Sequence, residues 1–339
     1  MEFDQLKWTD VRNFGVEGKG WTDTEGPYDR YPARAKGRVP EDVWELSHHP
    51  TGLRVHFATD STVVAVDWTI TGETLAWDRT PPVGGSGLDL YVKIAGRWRW
   101  ASIASSERPP IRTRKFLLQE MTPGSHEYML YLPLLNSLDS LSIGVLPDAQ
   151  LTRPMPQPGK LICFYGTSIV HGAFATRPGM TYPAILGRRL DRPFLNLGFC
   201  GSGRMEPEVL QLLAELDPSV YVLDALPNLS APQVAERTGP FVHALRQAHP
   251  NTPILLVENI IFEDPSFAGS QRLQRPTRNA ALQAVYKQLL DERVKGLHYV
   301  PCDHLLGSDG EALLDGIHPT DVGFLRMADV LEPVLKPLV

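Results

Sequence analysis

Between Pro147 and Gly159 the chain reads PDAQLTRPMPQPG, a segment with four prolines. Proline fixes its own φ and has no amide hydrogen, so such a segment continues neither a helix nor an inner strand. It divides the chain into two parts with different rhythms. At 339 residues the chain also exceeds the usual size of a single core. The expectation is therefore two domains, residues 1–150 and 151–339.

Upstream, from about residue 50, short alternating or aromatic-rich runs are separated by turn clusters. They include Thr62 to Trp68, Leu88 to Ile94, Lys115 to Gln119, Glu127 to Leu132 and Leu141 to Val145. Runs of this length and spacing, with no long helical pattern among them, predict an antiparallel β-sandwich of jelly-roll-like type. Downstream, the apolar runs Lys160 to Tyr165, Phe194 to Leu197, Val220 to Leu223 and Ile254 to Val257 alternate with helical windows. Those windows cover Tyr182 to Leu190, Glu206 to Leu216, Ala231 to Ala248, Pro276 to Arg293 and Gly323 to Leu335. This alternation predicts right-handed β-α-β units, hence a parallel sheet between two helix layers, an α/β/α fold whose ligands gather at the carboxyl ends of the strands.

Composition narrows the chemistry. The chain is 42% hydrophobic and 21% charged, as an ordinary globular protein is, and its net charge of −6 gives no attraction to phosphate backbones or anionic lipid. Nucleic-acid and membrane partners are not expected, and a neutral or weakly charged small-molecule substrate fits better; a homo-oligomer stays open. Three scattered cysteines, Cys163, Cys200 and Cys302, read as free thiols rather than a disulfide framework or a zinc site. The first twenty residues lack a basic segment followed by an apolar one, so the chain reads as cytoplasmic unless a leader has been trimmed.

Reactive residues collect at predicted strand ends. Ser168 lies two residues beyond Gly166, after the run ending at Tyr165, and Asp315-Gly316-Ile317-His318 lies near the C-terminus. A serine hydroxyl becomes nucleophilic when a base takes its proton, and that base needs a third group to hold its tautomer. An Asp three residues before a His, with Gly allowing a tight turn, can reach the Nδ1 side of that imidazole. Asn196 to Gly203 forms a glycine-rich strand-to-helix turn able to aim an amide at a developing oxyanion, and it lacks the lysine of a phosphate loop. Asn228, after the strand ending at Asp224, offers a side-chain amide for the same purpose.

These blocks resemble the SGNH or GDSL-type hydrolases. Ser168 in GTSI matches the nucleophile block, Gly201 the glycine block, Asn228 the asparagine block, and Asp315 with His318 in DGIHPTDVG the closing block. Two positions depart from the family pattern: Thr167 stands where Asp is usual, and Leu226-Pro227-Asn228-Leu229 replaces Gly-x-Asn-Asp. Upstream, Gly87-Leu88-Asp89-Leu90-Tyr91 matches the GxDLY signature of a β-sandwich that precedes some bacterial SGNH hydrolases. A jelly roll followed by an SGNH domain is also similar to carbohydrate esterase family 2. The resemblance implies a Ser168-His318-Asp315 triad, an oxyanion hole made by Ser168, Gly201 and Asn228, no metal or other cofactor, and hydrolysis of short acyl esters, acetyl above all, on carbohydrates. A lipase, thioesterase or general arylesterase of the same family is the alternative, and a carbohydrate-binding protein with an inactive hydrolase domain is a third.

Other residues are weighed against ordinary structural roles. His171 reads as a locally satisfied helix-start histidine, and His48-His49 lacks convincing metal partners. Trp68, Trp77, Trp98 and Trp100 read as core aromatics before they read as a sugar-stacking face.

Overall fold

The strands of the first half alternate inward apolar with outward residues, and this builds two antiparallel sheets. In a computed structural model that describes residues 1–77, 79–106, 112–260 and 275–339, the strands are β1 (Lys7–Asp10), β2 (Arg54–Thr59), β3 (Val64–Ile70), β4 (Leu88–Ile94), β5 (Arg97–Ala104), β6 (Arg112–Leu118), β7 (His126–Tyr131), β8 (Leu138–Val145) and β9 (Leu151–Thr152). One sheet has the order β1-β8-β3-β6 and the other β5-β4-β7-β2-β9. Val64, Val66, Trp68 and Ile70 of β3, with Leu141, Ile143 and Val145 of β8, share a buried core with Val55 and Phe57 of β2, Leu88 and Leu90 of β4, and Tyr128 and Leu130 of β7. The period of two along each strand is what a sandwich requires.

The second half contributes β10 (Ile162–Gly166), β11 (Phe194–Gly198), β12 (Val220–Asp224), β13 (Ile254–Val257) and β14 (Leu297–Val300). They form a parallel sheet in the order β11-β10-β12-β13-β14. Every residue of β10, β11, β12 and β13 is buried, because helices cover both faces and leave no polar side for alternation. The helix Tyr182–Leu190 packs with Asp321–Leu335, while Ala231–Ala248 packs with Arg275–Asp291 and Pro207–Leu213. Among the described residues, no helix is long and apolar enough to cross a membrane.

The chain separates into two compact units. One comprises Met1–Ala33, Ser47–Gln157 and Ala175–Gly179; the other comprises Arg34–Leu46, Pro158–Phe174 and Met180–Val339. Two short segments, 34–46 and 175–179, thus depart from simple sequence order. The second unit takes up residues 34–46, including Val43 and Trp44, both buried.

Candidate active site

Ser168 opens a single helical turn, Ser168–His171, directly after β10. Gly172 closes that turn at φ 92°, a left-handed cap that glycine accepts freely, and the amides of Gly172 and Ala173 both donate to the Ser168 carbonyl. The Ser168 side chain is nearly buried, at 7% exposure, and its Oγ lies 2.9 Å from His318 Nε2.

His318 Nδ1 lies 2.9 Å from Asp315 Oδ2, so Ser168, His318 and Asp315 form one hydrogen-bonded line. The same carboxylate accepts the main-chain N–H groups of Ile317 and His318 on Oδ1, each at 2.9 Å, across a turn in which Gly316 takes φ 78°. Desolvation works to raise the Asp315 pKa, but donation from the His318 amide and imidazole and from the Ile317 amide outweighs it and holds the carboxyl below its usual range. Asp315 is therefore an anion at neutral pH, able to steady an imidazolium. Phe174, at φ 72°, sets its ring edge-on to His318 with centroids 4.5 Å apart.

The glycine-rich loop after β11 lies against the end of β10. Phe199 N–H donates to the Gly166 carbonyl, and a Cβ on Gly203 would fall 2.0 Å from that same oxygen, so only glycine fits there. Ser202 N–H donates to the Phe199 carbonyl, closing a turn around Gly201 at φ 73°, while a Cβ on Gly201 would meet nothing within 4 Å. Further along, the Tyr165 hydroxyl accepts from Met205 N–H and donates to Glu206, whose carboxylate also accepts from Arg204 N–H. The loop is thus held at both ends by β10.

Neither Ser168 N–H nor Gly201 N–H has an acceptor among the described residues. Asn228 ends the short turn Leu226–Asn228 after β12, and its Nδ2 donates to the Ser202 carbonyl at 2.7 Å. This joins the asparagine block to the glycine block. A side-chain amide carries two N–H groups, so that bond leaves one more donor. Thr167 is fully buried, and its Oγ1 has no hydrogen-bond partner among the described residues.

Other residues singled out in the sequence take structural places. Trp68 is core, and His48 pairs with Asp29 at 3.0 Å. Asp89 of the GxDLY motif is fully buried and accepts from Arg177 Nη1 and Gly179 N–H, both at 2.8 Å. The Arg177 guanidinium lies over the rings of Tyr91 and Trp100, so these aromatics hold an arginine. His171 is buried, and a Cβ on Gly198 would fall 2.0 Å from its amide nitrogen. Cys163, Cys200 and Cys302 are free thiols; burial raises the Cys163 pKa, and burial with the nearby Glu258 pushes Cys302 up to about 12.

Several participants left no trace in sequence reasoning. Phe174 and Tyr165 look like core aromatics, and Ser202 is one more small residue in a glycine-rich turn. Its hydroxyl donates to Asp42, some 160 residues earlier in the chain, a pairing no local pattern signals.

Residues 159–336 match the GDSL-like lipase/acylhydrolase family, and residues 6–151 match the GxDLY N-terminal region of SGNH hydrolase-type esterases. A protein of Bacteroides ovatus ATCC 8483 classed as a GDSL-like lipase is 34% identical, with 98% of each chain aligned and a TM-score of 0.93. The salicylyl-acyltransferase SsfX3 from a tetracycline biosynthetic pathway shares 18% identity and the fold, at a TM-score of 0.79 over 98% of each chain. A family two carbohydrate esterase from Clostridium thermocellum, solved with cellohexaose, shares 15% identity and the fold at 0.61, over 85% of this chain and 95% of that one. No curated protein matches the sequence.

Proposed function

Since the chain belongs to the GDSL-like lipase/acylhydrolase family and is an ester hydrolase of that family, we propose that it cleaves short acyl esters, acetyl above all, through a Ser168 acyl-enzyme. The unbroken Ser168-His318-Asp315 hydrogen-bond line carries this reading. In the first step Ser168 Oγ attacks the ester carbonyl while its proton passes to His318 Nε2. Asp315, kept ionised, holds Nδ1–H and steadies the imidazolium. The carbonyl oxygen takes up negative charge, and the Ser168 and Gly201 amides, with the second N–H of Asn228, receive it. His318 then returns the proton to the departing alcohol, and water activated by the same imidazole releases the acyl group and restores the serine.

Carbohydrate is the favoured acyl acceptor because the plan of a β-sandwich before a hydrolase domain is shared with the family two esterase. The separate reading is acyl transfer to an acceptor hydroxyl, favoured by the fuller fold match to the acyltransferase. It requires only that an alcohol replace water in the second step.

Ser168→Ala separates this chemistry from any other. It should lower turnover of nitrophenyl acetate by about a thousandfold or more while leaving the melting temperature nearly unchanged; a variant keeping a tenth of wild-type turnover would move the nucleophile elsewhere. Across acetyl, butyryl and octanoyl esters, kcat/KM should fall stepwise, each methylene costing about 1–3 kcal/mol at most. Acetate release from acetylated saccharides tests the acceptor, and product partitioning with added alcohol distinguishes transfer from hydrolysis. Highest activity on octanoyl esters with no release from any sugar would promote the lipase alternative.

A further inference from the structure

We propose that Asp42 is a positioning residue for the oxyanion loop, an inference that rests on the esterase reading above. Asp42 lies on the helix Glu41–Ser47 and within the segment 34–46 that belongs to the second unit. Val43 and Trp44 anchor that helix by burial, and Arg34 pairs with Glu215 at the segment's other end. From this support, the Asp42 carboxylate accepts the hydroxyl of Ser202, itself 1% exposed.

Ser202 is the handle of the loop. Its N–H donates to the Phe199 carbonyl, its own carbonyl accepts from Asn228, and its hydroxyl donates to Asp42. The residue immediately before it is Gly201, whose N–H has no acceptor among the described residues, whose carbonyl accepts from the Arg204 guanidinium, and which has no Cβ to pack. Glycine is the freest residue in φ and ψ, so the direction of that N–H depends on its neighbours. A hydrogen bond to a carboxylate is among the stronger ones available for fixing a hydroxyl. Asp42 therefore acts through Ser202 on the aim of the Gly201 amide, and touches no reacting atom itself.

The test is steady-state hydrolysis of nitrophenyl acetate, combined with inhibition by a small boronic acid that mimics the tetrahedral adduct. Asp42→Ala should lower kcat by about ten- to a hundredfold with KM changed less than about threefold, because a misaimed donor costs the transition state alone. Boronate affinity should fall by a similar factor. Asp42→Asn keeps an acceptor oxygen and should stay within about threefold of wild type. Ser202→Ala should reproduce the Asp42→Ala loss, and the double variant should be no worse than the poorer single one, since both remove the same bond. Should Asp42→Ala prove insoluble, Asp42→Asn and Ser202→Ala carry the comparison. Normal kcat in Asp42→Ala or Ser202→Ala, a loss confined to KM, or losses that multiply would overturn the proposal while leaving the esterase standing. A wild type without ester turnover would overturn both.

Discussion

A phenylalanine in left-handed backbone carries a strain of about 1–3 kcal/mol, and Phe174 keeps it while its ring stands against His318. Such a conformation persists only where the surrounding contacts enforce it. Phe174→Gly removes both strain and ring, so its melting temperature should match or exceed wild type while kcat/KM drops by about tenfold. Phe174→Tyr, which retains the ring, should lose little; equal kinetics for all three proteins would reduce the ring to packing. Asp224 gives a second test, in pH. Burial pushes its pKa up to about 7 despite donation from the Tyr182 hydroxyl. A carboxyl whose folded pKa lies above the unfolded value of about 4 gives its full stability below pH 4 and loses it as pH rises toward 7. Asp224→Asn can still accept from Tyr182 and has no charge to desolvate. Its melting temperature relative to wild type should therefore rise between pH 5 and 8, and parallel curves would refute the assignment.

The loop after β11 shows how an element can depend on glycines for unlike reasons. Gly201 needs its positive φ alone, so Gly201→Ala should cost only about 1 kcal/mol and leave a folded protein. Gly203 combines φ 70° with a carbonyl 2.0 Å from any Cβ, so Gly203→Ala must displace β10 itself and should cost more stability and most of the turnover. Thermal melts of the two variants rank these costs; an equal loss would contradict the close approach. Element types were legible where one interaction scale decided them. Tyr182–Leu190 and Ala231–Ala248 carry caps and apolar periodicity in their own residues, and each spans the helical window read from sequence. The four-residue strand Leu297–Val300 is too short and too polar at His298 and Tyr299 to announce itself, and its register comes from β13. In Arg97–Ala104 arginines alternate with Trp98 and Trp100, yet Trp100 is 51% exposed, so here the alternation does not mark a core face. At the site, Ser168, Asp315 and His318, the proposed triad, sit in short motifs that can be read locally. Asp42 and Phe174 join it through contacts that only the folded chain creates.

At the scale of the whole chain, cutting at the proline-rich segment leaves the second unit incomplete. The fragment 151–339 lacks residues 34–46 and with them the buried Val43 and Trp44. It should be poorly soluble and show weak near-UV dichroism; a soluble fragment with wild-type kinetics would show that the missing segment contributes nothing. Losing two buried side chains of this size is comparable to the larger core truncations, several kcal/mol against a marginal total. The same membership puts a timing constraint on biosynthesis. The helix Glu41–Ser47 leaves the ribosome well before the rest of its unit, whose sheet and helices are not complete until Leu335 has been added. At roughly 5–20 residues per second, that leaves its apolar side waiting for roughly 15–60 s. During that interval a chaperone that binds exposed tryptophan and valine would find its target in this segment of the nascent chain, and docking of the helix Asp321–Leu335 would be the signal for its release.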